Sequence, residues 1–134
     1  MPHTQHAVGH SDADVVLHAV TDAVLGAAAL GDIGEMFPDD DEANRARDSA
    51  EMLSLAMVRV SKSGWQIGNL DIVIHAQRPK LSPHKGAFRQ RIAEILGISR
   101  EQISIKAKTG EGVGLVGREE VVECRCVALL ERED

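Results

Sequence analysis

Aromatic side chains are nearly missing. Trp65, Phe37 and Phe88 are the whole set in 134 residues, and there is no tyrosine. Without stacking surfaces the chain is not expected to hold single-stranded nucleic acid. Its formal net charge is -6, from 15 Lys and Arg against 21 Asp and Glu, which argues against nonspecific attraction to any polyanion. The two cysteines, Cys124 and Cys126, fall at i, i+2 on an expected strand. They point to one face, where a disulfide would be strained, so they read as buried thiols. A two-thiolate metal site lacks a second cysteine or histidine pair nearby. No apolar run of spanning length is free of polar interruptions, and no basic-plus-apolar leader opens the chain. No membrane segment is therefore expected, and the expected location is cytoplasmic. What remains is a single domain over residues 1–134, long enough to bury a core.

The most informative stretch is HSDADVVLHAVTDAVLGAAALGDIGEMFPDDD, His10 to Asp41. Ser11 is an expected N-cap with Asp14 in the acidic position of a capping box, and Asp12 and Asp14 suit the positive end of a helix dipole. From Val15 to Leu30 the residues are small and apolar, so the helix is expected to be buried on nearly every side. Asp14, His18 and Asp22 recur at i, i+4 and i+8, with Thr21 beside them, as a polar stripe. Read without other signals, the stripe is a core histidine flanked by carboxylates. Met1–Gly9 has no periodicity and is expected to be a mobile terminus, although His3 and His6 lie in it. Gly31 is an expected C-cap and Gly34 allows a tight turn or close approach of a ligand. Phe37-Pro38-Asp39-Asp40-Asp41 reads as an acidic loop.

Farther along, Arg45–Lys62 has helical periodicity, with Leu53, Ala56, Met57 and Val60 on the apolar stripe continued by Ala46, Ser49 and Ala50. Trp65–Ala76 reads as a strand ending in Ile72-Val73-Ile74. Gln77–Pro83 is a loop stiffened by two prolines, with Lys80 placed to meet a phosphate. His84–Leu96 reads as a helix closed by Gly97, Ser99–Gln102 as a turn, Ile103–Lys108 as a half-exposed strand and Glu119–Arg132 as a final strand. Between the last two, four glycines (Gly110, Gly112, Gly114, Gly117) let backbone amides approach an anion beside Thr109, Glu111 and Arg118. No Gly-Lys-Ser/Thr follows, so this is not a P-loop. The alternation predicts an α/β (α+β) domain, a mixed sheet covered by helices on one side.

Three blocks in this order, the His10–Asp41 stretch, AQRPKL at Ala76–Leu81 and KAKTGEGVGLVGR at Lys106–Arg118, closely resemble the 2-C-methyl-D-erythritol 2,4-cyclodiphosphate synthase family. The match runs without gaps from Gly9 to the carboxyl end. The resemblance implies a lyase of the non-mevalonate isoprenoid (terpenoid) pathway. The 2-phosphate of 4-diphosphocytidyl-2-C-methyl-D-erythritol 2-phosphate attacks the β-phosphate of its own diphosphate, and CMP leaves. It implies a zinc ion and a second divalent cation, magnesium or manganese, and a homotrimer whose sites lie between subunits.

Residue by residue, His18 matches a zinc ligand and Glu111 the ligand of the second cation. His10 and Thr109 match transition-state stabilisers. His10 and Ser11 also match substrate contacts, and an expected helix amino end supports them. Asp32, Ile33 and Gly34 match the ribose turn, and Phe37, Pro38, Asp39, Asp40 and Asp41 the substrate loop after it. Ala76, Gln77, Arg78 and Pro79, with Lys80, Leu81 and Ser82, match the cytidine pocket. Lys108, Thr109, Gly110 and Glu111 match the diphosphate loop, with Leu115 and Arg118 as further contacts. The family's opening strands, one carrying Gly-x-Asp-x-His with two more zinc ligands, have no counterpart in this sequence. His18 is then the family zinc ligand present, and an exposed sheet edge is expected. Nothing in the spacing of His3 and His6 suits them as replacements.

Three functions fit these residues: the cyclising lyase, a catalytically impaired trimer that keeps a cytidine-nucleotide pocket, and a metal-dependent phosphohydrolase using Asp14, His18 and Glu111. No nucleic-acid or membrane partner is expected.

Overall fold

The computed structural model describes residues 2–38, 48–76, 85–109 and 121–133, the side chains of 2–12, 76, 109, 121 and 122 excepted. Helix α1 (Pro2–Ala27) leads into the single turn α2 (Ile33–Met36). Helix α3 (Ser49–Lys62), strand β1 (Trp65–Ala76) and helix α4 (Lys85–Leu96) follow. A 3-10 turn (Arg100–Gln102) then feeds β2 (Ile103–Thr109), and β3 (Val121–Arg132) comes last.

The first helix corrects the expected start. It begins at Pro2, so Pro2–Gly9 is helical rather than a mobile terminus, Ser11 is not its N-cap, and Asp12 and Asp14 lie in its interior, away from the dipole's positive end. Proline is favoured as a first helical residue, because its missing N–H would have had no partner there. Weak helix formers such as Thr4 and Val8 follow it, and one interior glycine, Gly9, costs about 1 kcal/mol without ending a helix.

The far end of α1 brings a second correction. The left-handed cap is Ala29 (φ 59), not Gly31. Leu30 N donates to Leu25 O (2.9 Å) and Ala29 N to Gly26 O (3.0 Å), the paired bonds of a Schellman motif. Leu30 is partly buried against the core that holds Leu25, and that burial offsets the strain of a Cβ in the left-handed region. Gly31 still needs its own positive φ of 100, and a Cβ on it would stand 2.6 Å from the Glu35 carboxylate.

Helix α3 starts at Ser49 rather than Arg45: Asp48 is extended (φ -67, ψ 140) and its side chain accepts from Ala50 N. Residues 45–47 lie outside the described ones, as does His84 before α4.

The sheet is three-stranded in the order β2-β1-β3. β1 runs parallel to β2 and antiparallel to β3, which makes it mixed. Its inner face sets Leu70, Ile72 and Ile74 between Ile103 and Ile105 on one side and Cys124, Cys126 and Ala128 on the other. Against that face pack Val16, Val20 and Val24 of α1, Leu53, Ala56 and Val60 of α3, and Ile92 of α4. Among the described residues, the three long helices cover this one face. α1 lies mainly over β3, and α4 over β2. α1 is not buried all round: His18, Asp22, Gly26 and Ala27 face solvent.

The outer face stays open, with Val127 and Leu129 at 71% and 58% exposure. Beside them lie half-buried Val73 and the exposed pair Lys106–Asp71, 3.3 Å apart. A register shift between Ile67 and Asn69 marks a bulge at Gly68. Gln102 Nε2 donates to both Ile67 O and Gly68 O there (3.1 and 3.2 Å), just before the pairing of β1 with β2 begins at Leu70 and Ile103. Among the described residues no helix is long and apolar enough to cross a membrane.

Candidate active site

The polar stripe of α1 divides into three environments. Thr21 leaves it entirely. It is 0% exposed, and its hydroxyl donates to Leu17 O at 2.8 Å, so its demand is met within the helix. Asp14 and His18 share one partner on α3. Ser49 Oγ donates to Asp14 Oδ1 (2.9 Å) and lies 3.1 Å from His18 Nε2. Ser49 is 7% exposed. In the sequence it stood only as part of an apolar stripe. The signal available was chemical: a hydroxyl among buried positions must find a partner.

Asp22 serves a different element. Its Oδ1 accepts the Ile33 backbone N–H at 2.6 Å. Ile33 opens α2, whose N-cap Asp32 accepts from Glu35 N at 2.7 Å. The Asp32-Ile33-Gly34 turn is thus pinned from both sides, by its own cap and by the long helix. Phe37 ends α2 with its ring buried, at 6% exposure. Pro38 is exposed, and Asp39, Asp40 and Asp41 lie outside the described residues. His10 and Ser11 sit within α1, not at its amino end, so the anion site expected of a helix terminus does not form around them.

At the sheet the two remaining motifs converge. Register pairs His75 with Lys108 and Ala76 with Thr109, the carboxyl ends of two adjacent parallel strands. Ala76 also pairs with Val121, the first residue of β3, across a second register shift. Strands β1 and β2 therefore end side by side, at Ala76 and Thr109. The carboxyl ends of parallel strands are where α/β sheets bind ligands, and bulges gather at such sites. Lys108 is exposed there. Gln77, Arg78, Pro79, Lys80, Leu81 and Ser82 lie outside the described residues, as do Gly110, Glu111, Leu115 and Arg118.

Within one chain α1 belongs to the β3 flank and β2 to the opposite flank, under α4. His18 and Thr109 are thus not neighbours across a single strand. A recess between α1 and α4, lined by Ala13, Val16, Leu17, Phe88, Arg91 and Ile92, is apolar apart from Arg91 and offers little to a phosphate.

His18 fits a divalent metal as one donor: it is exposed, and Nε2 is the ring nitrogen engaged by Ser49. Among the described residues no group of three His, Cys, Asp or Glu could hold a metal ion, whereas a catalytic zinc takes three protein ligands. The residue set fits one corner of such a site. Cys124 and Cys126 are free, as their spacing implied, but half-buried rather than buried, because β3 carries them on a face that the helices cover only in part.

A one-sided α/β layer, with a pinned acidic turn beside its longest helix and two parallel strands that end side by side at Ala76 and Thr109, has the architecture of a small α/β ligand-binding enzyme domain. The chain belongs to the YgbB family, which matches residues 1–131. The protein from Gemmatimonas aurantiaca named 2-C-methyl-D-erythritol 2,4-cyclodiphosphate synthase is 52% identical over 120 residues, 90% of this chain and 72% of that protein. Its namesake from Bordetella petrii is 53% identical over 132 residues, 98% of this chain and 82% of its own length. Among solved structures, a CDP complex of IspF from Plasmodium falciparum superposes with a TM-score of 0.78 at 34% identity, covering 90% of this chain and 72% of that one. The bifunctional IspDF from Campylobacter jejuni gives a TM-score of 0.84 at 40% identity; the match covers 90% of this chain but 32% of that larger protein.

Proposed function

We propose that this chain is a phosphorus–oxygen lyase that forms 2-C-methyl-D-erythritol 2,4-cyclodiphosphate. An oxygen of the substrate's 2-phosphate bonds to the β-phosphorus, the bond from that phosphorus to the α-phosphate's bridging oxygen breaks, and CMP departs with the electron pair. No water enters and no protein nucleophile is needed. Catalysis then consists of holding two anionic phosphates in line and meeting the charge that develops.

The observation that carries this reading is the Ala76–Thr109 register, which starts the base-reading and diphosphate-holding segments from adjacent strand ends. In this assignment Asp32, Ile33 and Gly34 hold the ribose, in keeping with a turn fixed by Asp22. Residues 76–82 read cytosine through backbone groups, with Lys80 beside the phosphates. Lys108, Thr109, Gly110 and Glu111 hold the diphosphate; His10 and Thr109 stabilise the transition state. Ser11, Phe37–Asp41, Leu115 and Arg118 complete the substrate contacts. His18 is the chain's zinc donor and Glu111 the ligand of a magnesium or manganese ion. When bound, such cations withdraw charge from phosphoryl oxygens.

The separation of His18 and Thr109 to opposite flanks supports a site completed by a neighbouring copy. The open outer face with Val127 and Leu129 supports a homotrimer packed through its sheets. We place the protein in the cytoplasm, with a cytidine nucleotide as ligand.

The test is CMP release from the diphosphocytidyl substrate with added zinc and magnesium, run in oxygen-18 water. One CMP per cyclic product, with no label in that product, is expected. Label in the product would favour a phosphohydrolase, and CMP binding without turnover a nucleotide-binding trimer.

A further inference from the structure

The contacts of Ser49 decide which nitrogen of His18 carries a proton. A hydroxyl has one proton to donate and lone pairs to accept with. An ionised carboxylate only accepts, so the Ser49 proton is committed to Asp14 Oδ1 at 2.9 Å. The 3.1 Å contact with His18 Nε2 must then run the other way, from Nε2–H into Ser49 Oγ. A neutral imidazole protonated at Nε2 keeps its lone pair on Nδ1.

We propose that Ser49, backed by Asp14, is a positioning residue that fixes the tautomer and ring orientation of His18, so that Nδ1 is the atom presented to a divalent cation. The inference rests on the reading of His18 as a metal donor. The physical case is the sharing of one hydroxyl between two elements. Asp14 and His18 stand one turn apart on α1, and the hydroxyl that links them belongs to the first residue of α3, whose position is set by the packing of Leu53, Ala56 and Val60. Docking of α3 thereby sets the ring. The carboxylate–hydroxyl–imidazole chain is charge-assisted at one end. A metal-bound histidine is commonly held through its second ring nitrogen in this way. Ser49 is buried, so water does not readily replace it, while His18 itself is exposed and open to a ligand.

The test is long-range 1H–15N correlation on protein labelled at histidine nitrogen, at mildly alkaline pH where free imidazole is neutral. In the unsubstituted protein the His18 Nε2 is expected at a pyrrole-like shift and Nδ1 at a pyridine-like one. Ser49→Ala is expected to move both toward the average of exchanging tautomers, and Ser49→Thr to restore the separation. The reverse assignment in the unsubstituted protein would overturn the proposal. So would a pair of shifts that Ser49→Ala leaves unchanged. Zinc chloride added to the unsubstituted protein examines the underlying reading separately. Displacement of the Nδ1 resonance supports metal ligation there. Zinc that moves neither nitrogen, with the tautomer still fixed, overturns His18 as a metal donor but not the orienting role of Ser49.

Discussion

Asp22 Oδ1 accepts the Ile33 backbone N–H at 2.6 Å, so the longest helix holds the turn that begins at Asp32. The bond is solvent-exposed, which keeps its net worth near the lower end for a charged partner, about 1 kcal/mol. Alanine is the better helix former at that position by roughly 0.5 kcal/mol, which offsets about half of that loss. Asp22→Ala is therefore expected to leave the thermal midpoint within about 2 °C of its starting value. Its CMP affinity is expected to fall about 5- to 10-fold, because the turn proposed to hold the ribose is released. Calorimetric titration with CMP alongside a thermal melt measures both; a large stability loss with unchanged affinity would contradict the assignment.

Ala29 carries a Cβ at φ 59. Replacing it with glycine removes that strain and retains the Schellman bonds, against a small added entropy of the unfolded chain. Ala29→Gly is expected to stabilise the protein by about 0.5–1 kcal/mol and to raise the midpoint by about 2–4 °C. Differential scanning calorimetry at fixed protein concentration reads it directly. A fall in midpoint would show that the cap is not in the left-handed conformation.

Val127 and Leu129 stand on the uncovered face of β3. If copies of the chain meet there, Val127→Asp with Leu129→Asp places carboxylates in an apolar contact, at a cost of several kcal/mol per assembly. The doubly substituted protein is expected to sediment as a monomer with an unchanged far-ultraviolet dichroism spectrum, while the starting protein sediments as a trimer. A starting protein that is monomeric at all concentrations would refute the interface.

Burial pushes the Cys124 thiol up from its ordinary 9.0 to about 11, and burial with the nearby Cys124 and Asp71 charges pushes Cys126 to about 12. Between those values and 9.0 the unfolded chain has released protons that the folded chain still holds. The unfolding free energy therefore falls as pH rises. This stabilisation is fully present below about pH 9, and it is lost as pH climbs through 11 and 12. Denaturant melts across the alkaline range are expected to show a steeper decline for the unsubstituted protein than for Cys124→Ala with Cys126→Ala. The chain has no tyrosine to add its own slope. Parallel slopes would mean the thiols are more hydrated than their places on β3 indicate.

Much of the fold was legible in the order of residues. β1 runs over Trp65–Ala76 as read, because Gly64 turns the chain in before it and a β-branched run carries it out. The i, i+2 spacing correctly set Cys124 and Cys126 on one face of β3, since side chains alternate faces with a period of two. The mixed sheet with helices on one side, the free cysteines and the three family motifs were also visible. The start of α1 was not. Ser11 and Asp14 carry a strong cap signature, but Pro2 opens a helix earlier, and a local signature cannot announce that a competing start has prevailed upstream.

Composition and spacing determined that this chain makes an α/β layer, and the family resemblance of its three motifs named the residues proposed to meet a cytidine nucleotide. Three outcomes waited on the tertiary structure: that Asp22 serves a turn rather than His18, that Thr21 leaves the polar stripe, and that Ser49 reaches 31 residues back to His18. Periodicity tells which side of a helix a residue occupies, and it does so from near neighbours in sequence. Which hydroxyl meets which imidazole is settled only when two helices dock, because the partner comes from another element and the contact holds only over about 3 Å.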